Sequence, residues 1–180
     1  MKLLDVEDDF EKALIIALLV HGGKKDRAGE PFILHPIRVA LRVETPLLRC
    51  AAVLHDTLED VKPQWRSYAR GQISAVCGPD VLTLVELLSR GEKEPYRTYI
   101  ERLLPIAAAR SIKLADLADN MDPERHRRTS YVLPTHLRLR YVWARWMLER
   151  QDAMDAEDPR LCKTFTTEDV DNIGEEKVTP

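Results

Sequence analysis

The densest chemistry in the chain lies in Leu54-His55-Asp56-Thr57-Leu58-Glu59-Asp60. His55, Asp56, Glu59 and Asp60 can each bind a metal ion or move a proton. They follow the apolar run Cys50-Ala51-Ala52-Val53-Leu54, which suits a helix. If that helix continues, His55 and Glu59 stand one turn apart on one face, and Asp56 and Asp60 do so on the adjacent face. His55 and Asp56 are then about 100° apart around the axis, close enough to grip one ion from two sides. Carboxylates crowded in this way repel one another when buried, unless a cation sits among them. A solvated helix end that carries two acids fits the same residues, so both readings stay open on this stretch alone.

Other candidates need partners before they mean anything. Pro36 disfavours the α region for His35 and suits the first turn of a following helix. His35 is therefore expected just before a helix with apolar Ile37, Val39, Ala40, Leu41 and Val43. Lys24, Lys25 and Arg27 put three cations on the polar loop from Gly22 to Pro31, either as a phosphate clamp or as a solvated surface. Lys113, Asp116 and Asn120 recur at i, i+3 and i+7 and so share one helical face. Asp116 either pairs with Lys113 or contributes to a site built from distant segments. His21 reads as a capping or packing residue.

The elements that must position these groups read as helices. Residues 6–21 form the first, and Ala13 to Val20 is apolar on every face, which predicts a buried central helix. Thr45 is an N-cap with Pro46 in the first turn. Helices follow over 64–76 and 79–90, then from Tyr96 to Leu104 and from Ile106 to Met121. Met121 to Pro134 reads as irregular and basic, with Arg125, His126, Arg127 and Arg128. Pro134-Thr135 opens a long helix to about residue 155, carrying Tyr141, Trp143, Trp146 and Met147. No segment has strand period with matching turns, and there is no repeat and no Walker-type glycine loop.

Composition excludes several classes. The 180 residues suffice for one domain with a substantial core. The longest apolar run, Ala13 to Val20, is far too short to cross a bilayer, and no secretory leader pattern is present. A cytoplasmic protein without a membrane partner is expected. Cys50, Cys77 and Cys162 are odd in number and widely spaced, which suits neither a disulfide framework nor a zinc knuckle. Residues 151–180 carry −6 of the net −3, which leaves residues 1–150 at +3. That mild excess fits a small anionic ligand better than a nucleic-acid polymer.

Three segments taken in order carry a family resemblance: Gly29-Glu30-Pro31-Phe32-Ile33-Leu34-His35-Pro36, then Leu54 to Asp60, then Lys113-Leu114-Ala115-Asp116-Leu117-Ala118-Asp119-Asn120-Met121. Their order and spacing resemble the HD-domain hydrolases of the RelA/SpoT alarmone group, in the form of a stand-alone small alarmone hydrolase. The resemblance covers roughly residues 10 to 150. It implies an all-α HD-type helical bundle, with the hydrolase domain over 1–155 and an acidic, mobile tail over 156–180.

By position, the resemblance implies that His35, His55, Asp56 and Asp116 bind one metal ion, and that Glu59 and Asp60 form the catalytic acid pair. It implies substrate contacts at Lys25, Arg27, Asn120 and Tyr141. A mixed nitrogen and oxygen donor set favours a fairly hard divalent ion, and the family resemblance points to Mn²⁺. The implied reaction removes the 3′-pyrophosphate of an alarmone, giving pyrophosphate and a 5′-di- or triphosphate nucleoside.

Two departures bear on substrate. Many guanosine-specific members have Arg-Lys where this chain has Asp26-Arg27, which makes (p)ppApp a candidate beside (p)ppGpp. The long enzymes usually show Arg-Leu-His-Asn after the ligand aspartate, where this chain has Leu117-Ala118-Asp119-Asn120; Asp119 either supports the metal site or lies on the surface. Two rival readings are an HD phosphohydrolase acting on another nucleotide, such as a 5′-nucleotide or the 2′-phosphate of NADPH, and a non-catalytic alarmone-binding module. Intact Glu59 and Asp60 favour the enzyme. Monomer and homodimer are both compatible with the sequence.

Overall fold

A computed structural model describes residues 6–156. The described residues are helical, without strands; Lys25 and Pro31 form one isolated antiparallel bridge. The helices are α1 (Asp9–His21), α2 (Leu34–Ala40), α3 (Pro46–Leu54), α4 (Thr57–Asp60), α5 (Arg66–Cys77), α6 (Pro79–Leu88), α7 (Tyr96–Leu103), α8 (Ala107–Asn120), α9 (Pro123–Thr129) and α10 (Thr135–Asp155). A short 3₁₀ turn over Pro63–Trp65 precedes α5. No helix among the described residues is long and apolar enough to cross a membrane. Beyond Ala156, the acidic segment expected as a tail lies outside the described residues.

The centre of the bundle is α3. Thr45 Oγ1 accepts from the backbone N–H of Leu48 at 3.2 Å, and Pro46 occupies the first turn, where its missing N–H costs nothing. Cys50, Ala51, Ala52, Val53 and Leu54 are all buried, because α1, α2, α6 and α8 pack around this helix. Small residues at 51 and 52 let those neighbours approach closely. Fully burying Leu54 contributes on the order of 1.5–3 kcal/mol. α10 closes the bundle against α7 and α8.

Four local expectations differ from the structure. α1 is not buried all round: Ala13, Ala17 and His21 form a buried stripe against α3 and α5, whereas Leu18 is 51% and Leu19 81% exposed. Apolar composition does not say how many faces meet a neighbour. His35 lies inside α2 rather than before it. Pro36 still falls in the first turn, where helical N–H groups have no intrahelical partner, so it does not break the helix.

α3 stops at Leu54 instead of running on through the acid pair. His55 Nδ1 donates to Ala52 O at 2.8 Å and so competes for the carbonyl that an α-helix would offer to Asp56. Asp56 accordingly takes a bridge-region conformation (φ −92°, ψ −4°), and a new short helix, α4, begins at Thr57. The basic stretch after Met121 contains α9, capped by Asp122, whose side chain accepts from the Glu124 N–H at 2.9 Å.

Candidate metal centre and its cavity

The break at His55-Asp56 turns both side chains towards α2 and α8. His55 Nε2 lies 3.2 Å from Asp56 Oδ2 and 3.8 Å from Asp116 Oδ1. His35 Nε2, from α2, lies 3.2 Å from Asp116 Oδ1 and 3.6 Å from Asp56 Oδ2. Both imidazole Nε2 atoms therefore face carboxylate oxygens of Asp56 and Asp116. His35, His55 and Asp116 each offer one donor atom within 4.8 Å of the others.

Both rings are held from behind. His35 Nδ1 faces Asp119 Oδ2 at 2.8 Å, and His55 Nδ1 faces Ala52 O at 2.8 Å. Each contact is satisfied with the proton on Nδ1, which leaves the Nε2 lone pair directed at those carboxylates. His55 Nε2 is buried without a hydrogen-bond partner. An orphaned ring nitrogen among carboxylates fits a cation site, and these four residues could hold a divalent ion.

The electrostatics point the same way. Burial alone would lower the pKa of His35, but hydrogen bonds to Asp116 and Asp119 outweigh it and raise the value to about 9. Burial acts likewise on His55, and the Asp56 charge overcomes it. Burial would raise Asp56, yet the charge of His55 brings it down to about 2. Asp116 is also opposed by burial and is held well below the carboxylate range, first by Lys113, whose Nζ donates to Oδ2 at 2.7 Å. The acids thus draw positive charge to the space that the lone pairs face. A metal ion binding there would compete with protons for the two Nε2 atoms.

Glu59 and Asp60 lie beside this cluster in contrasting settings. Burial pushes the Glu59 carboxyl above its ordinary value, against the backbone N–H of Arg90, which donates to Oε1 at 2.7 Å. Asp60 is held below its ordinary value by the hydrogen bond from His21, with Lys24 adding to it. His21 Nδ1 and Lys24 Nζ stand 3.1 and 3.2 Å from Asp60 Oδ2.

A cavity of about 450 Å³ opens in front of the acids. His35, Asp56, Glu59, Asp60, Asp116 and Asn120 line it, and so do Lys25, Arg27 and Tyr141. His55 stands behind that wall. The structure therefore brings every sequence-predicted site residue to one place. Asn120 Nδ2 donates to Asp116 Oδ1 at 2.6 Å, so in this state it braces the carboxylate.

Several cations near the cavity are already paired with carboxylates. Lys24 holds Asp60, and Arg128 pairs with Glu30 at 3.1 Å. Arg127 pairs with Glu124 at 2.7 Å. Arg125 lines the cavity, but its Nη2 lies 2.5 Å from Asp26 Oδ2. Asp26 Oδ1 also accepts from the N–H groups of Ala28 and Glu30, both at 2.9 Å, so this side chain shapes its own loop. Gly29 takes φ 83° at the loop tip, a conformation strained for other residues.

Sequence reasoning did not single out Arg38, Arg90, Arg140 or Tyr96. Arg38 is three residues after His35 on α2, a spacing that was available as a signal. Arg90 acts on Glu59 through its backbone N–H, for which no sequence signal exists. Arg140 and Tyr96 line the cavity from α10 and α7, with the guanidinium 5.1 Å from the ring centroid. Their meeting depends on how those helices pack.

Among the described residues, an all-α bundle brings two histidines and two aspartates together beside an acid pair that lines the same cavity. A solved metazoan ortholog of SpoT, described as hydrolyzing ppGpp and playing a role in starvation responses, shares the fold, with a TM-score of 0.59 over 93% of this chain and 94% of that one at 21% identity. The all-α HD-type bundle expected from the sequence is thereby borne out.

In sequence the chain is 32% identical over 127 residues to a guanosine-3′,5′-bis(diphosphate) 3′-pyrophosphohydrolase of Aquifex aeolicus, which is 64% of this chain and 17% of that protein. It is 30% identical over 126 residues to the protein of the same name in Vibrio cholerae, 61% of this chain and 17% of that one. A GTP pyrophosphokinase of Brucella ovis matches at 35% over 86 residues, 46% of this chain and 11% of that one. The resemblance to the RelA/SpoT group is borne out by these relatives, and the chain spans 17% of the length of the Aquifex protein. No protein-family model matches the chain.

Proposed function

We propose that this chain is a metal-dependent pyrophosphohydrolase that removes the 3′-pyrophosphate of alarmone nucleotides. The observation that carries the reading is the meeting of His35, His55, Asp56 and Asp116, beside Glu59 and Asp60, at the wall of a cavity bearing Lys25 and Arg27. The named activities of the Aquifex and Vibrio relatives support it. Hard oxygen donors together with imidazoles favour Mn²⁺ as the ion. When bound, the ion would lower the pKa of a water molecule and offset phosphate charge.

The residues divide the remaining work. Glu59 is the better proton acceptor of the pair, because burial raises its pKa towards the working range. It takes a proton from the water as the water oxygen bonds to the phosphorus attached to the 3′ oxygen. The bond from that phosphorus to the 3′ oxygen breaks, pyrophosphate leaves carrying the water oxygen, and Glu59 returns the proton to the 3′ oxygen. Asp60, ion-paired to Lys24 and bonded to His21, is a fixed negative charge that orients the water. Lys25 and Arg27 hold the 5′-phosphates, and Tyr141 offers a ring to the nucleoside. Asn120 contacts the substrate where it meets Asp116.

Asp26 bears on the choice of base. A carboxylate can read the donor edge of guanine, but Asp26 is occupied by Arg125 and two loop amides. This supports (p)ppApp as a substrate beside (p)ppGpp. The test is turnover of ppGpp and ppApp side by side, with Mn²⁺ or with chelator, resolving nucleotide and pyrophosphate. Metal-dependent pyrophosphate release from either is the expected result. No release from both, with metal shown to be bound, would overturn the reading.

A further inference from the structure

The proposed chemistry leaves one buried acid of α8 without a task. Asp119 is 0% exposed, and burying a carboxylate is costly unless cations and donors meet it. They do meet it here. Arg38 forks onto it, Nε to Oδ1 at 2.6 Å and Nη2 to Oδ2 at 3.0 Å. Arg42 Nη2 stands 3.9 Å from Oδ1 and Arg125 Nη1 3.7 Å from Oδ2. Arg42 and Arg125 also face Asp122 and Asp26, so the Arg38 fork is the cationic partner that Asp119 holds most directly. The 2.8 Å contact between Oδ2 and His35 Nδ1 is made in addition to that fork.

What that contact does is fix a ring. A free imidazole rotates about its side-chain bonds and carries its proton on either nitrogen. A carboxylate bonded to Nδ1–H removes both freedoms. The opposite nitrogen then points at Asp116 Oδ1 and Asp56 Oδ2. The Arg38 fork keeps Asp119 from turning away and ties α2, which carries His35, to α8, which carries Asp116.

We infer that Asp119 is a positioning residue: it holds His35 with the proton on Nδ1 and the Nε2 lone pair turned into the metal cluster, and it strengthens that nitrogen as a donor. The inference rests on the metal reading of the cluster. His55 receives the corresponding hold from a neutral carbonyl, Ala52 O, so the two histidines are held unequally and His35 is the stronger donor. The same anchorage reaches the cation loop, because Arg125 Nη1 also donates to the backbone oxygen of Asp119 at 3.3 Å while its Nη2 holds Asp26.

The test is Mn²⁺ binding, followed by the electron paramagnetic resonance of the free ion, in wild type, Asp119→Asn and Asp119→Ala. Thermal unfolding of each metal-free protein is measured alongside. Asparagine keeps a carbonyl acceptor without the charge and should weaken binding about 10-fold; alanine should weaken it about 100-fold. A merely structural role would lower the unfolding temperature and leave the dissociation constant of the folded protein unchanged. Equal affinity in all three proteins overturns this inference alone. Wild type that binds no Mn²⁺ overturns the metal reading and this inference with it. A second measurement needs no Asp119 variant: ¹⁵N NMR of the metal-free wild type at pH 10, with His35→Ala used for assignment. A proton on Nδ1 of His35 is expected, and a proton on Nε2 overturns the inference even if both Asp119 variants fail to fold.

Discussion

His21 Nδ1 stands 3.1 Å from Asp60 Oδ2, joining the last residue of α1 to the last residue of α4 across 39 positions of sequence. The imidazole is buried at 1% exposure, and with Lys24 it holds Asp60 ionised, while neighbouring Glu59 is pushed the other way by burial. Two adjacent carboxylates thus acquire different proton affinities from different surroundings, which separates their roles.

Glu59→Gln should keep the metal site and lose turnover. The amide preserves shape and can still accept from the Arg90 N–H, but it cannot take a proton. A fall in kcat of about 10²–10⁴-fold is expected, with the Mn²⁺ dissociation constant unchanged. A near-normal kcat would remove Glu59 as the proton acceptor.

Asp56→Ala should lose metal and activity together. Asp116→Ala is a poorer probe, because it also strips the partner from partly buried Lys113 and would cost stability on the order of 3–5 kcal/mol. Asp56 has no lysine or arginine partner among its described ion pairs, so its removal reads the metal site more directly. Isothermal titration with Mn²⁺ beside a rate assay separates the two effects. Full activity in the metal-stripped variant would refute the ligand assignment.

The Asp26–Arg125 pair makes a prediction about acid. Burial acts to raise the Asp26 carboxyl, but the hydrogen bond from Arg125 and those from the loop amides outweigh it and hold the folded pKa below the ordinary 3.8. A carboxyl depressed in the folded state contributes stability that is fully present above 3.8 and is lost as the pH falls through the lower folded value. Thermal unfolding of wild type and Asp26→Asn between pH 6 and pH 2.5 checks the sign. The gap between the two should narrow as the pH drops; a gap that widens contradicts it.

α1 and α3 should answer truncation differently. Leu54→Ala opens a cavity at a fully buried position and should cost about 2–5 kcal/mol. Leu19→Ala lies on the exposed face of α1 and should change stability by less than about 0.5 kcal/mol. Urea unfolding of both variants decides the point, and a large loss for Leu19→Ala would mean that this face is covered in solution.

What the sequence determined by itself is local or is carried by whole segments. Thr45 and Pro46 announced the start of α3, because a cap acts within three residues. Lys113, Asp116 and Asn120 were predicted to share a face, and they bond to one another there, because helical spacing alone places them together. The all-α class was legible from periodicity, and three segments in order carried the resemblance.

The tertiary structure decided the rest. Whether α1 was central or peripheral depended on which of its faces met α3 and α5. The helix expected to run through His55 was cut by that residue's own ring, which took the Ala52 carbonyl. Asp119, surface or support by sequence, is a buried partner of His35 across 84 positions, and Asp26 reaches Arg125 across 99. Backbone preferences act over a few residues. Contacts at such separations exist only once α2 has packed on α8 and Arg125 of α9 has met the loop that carries Asp26, and that packing turned a line of candidate residues into one site.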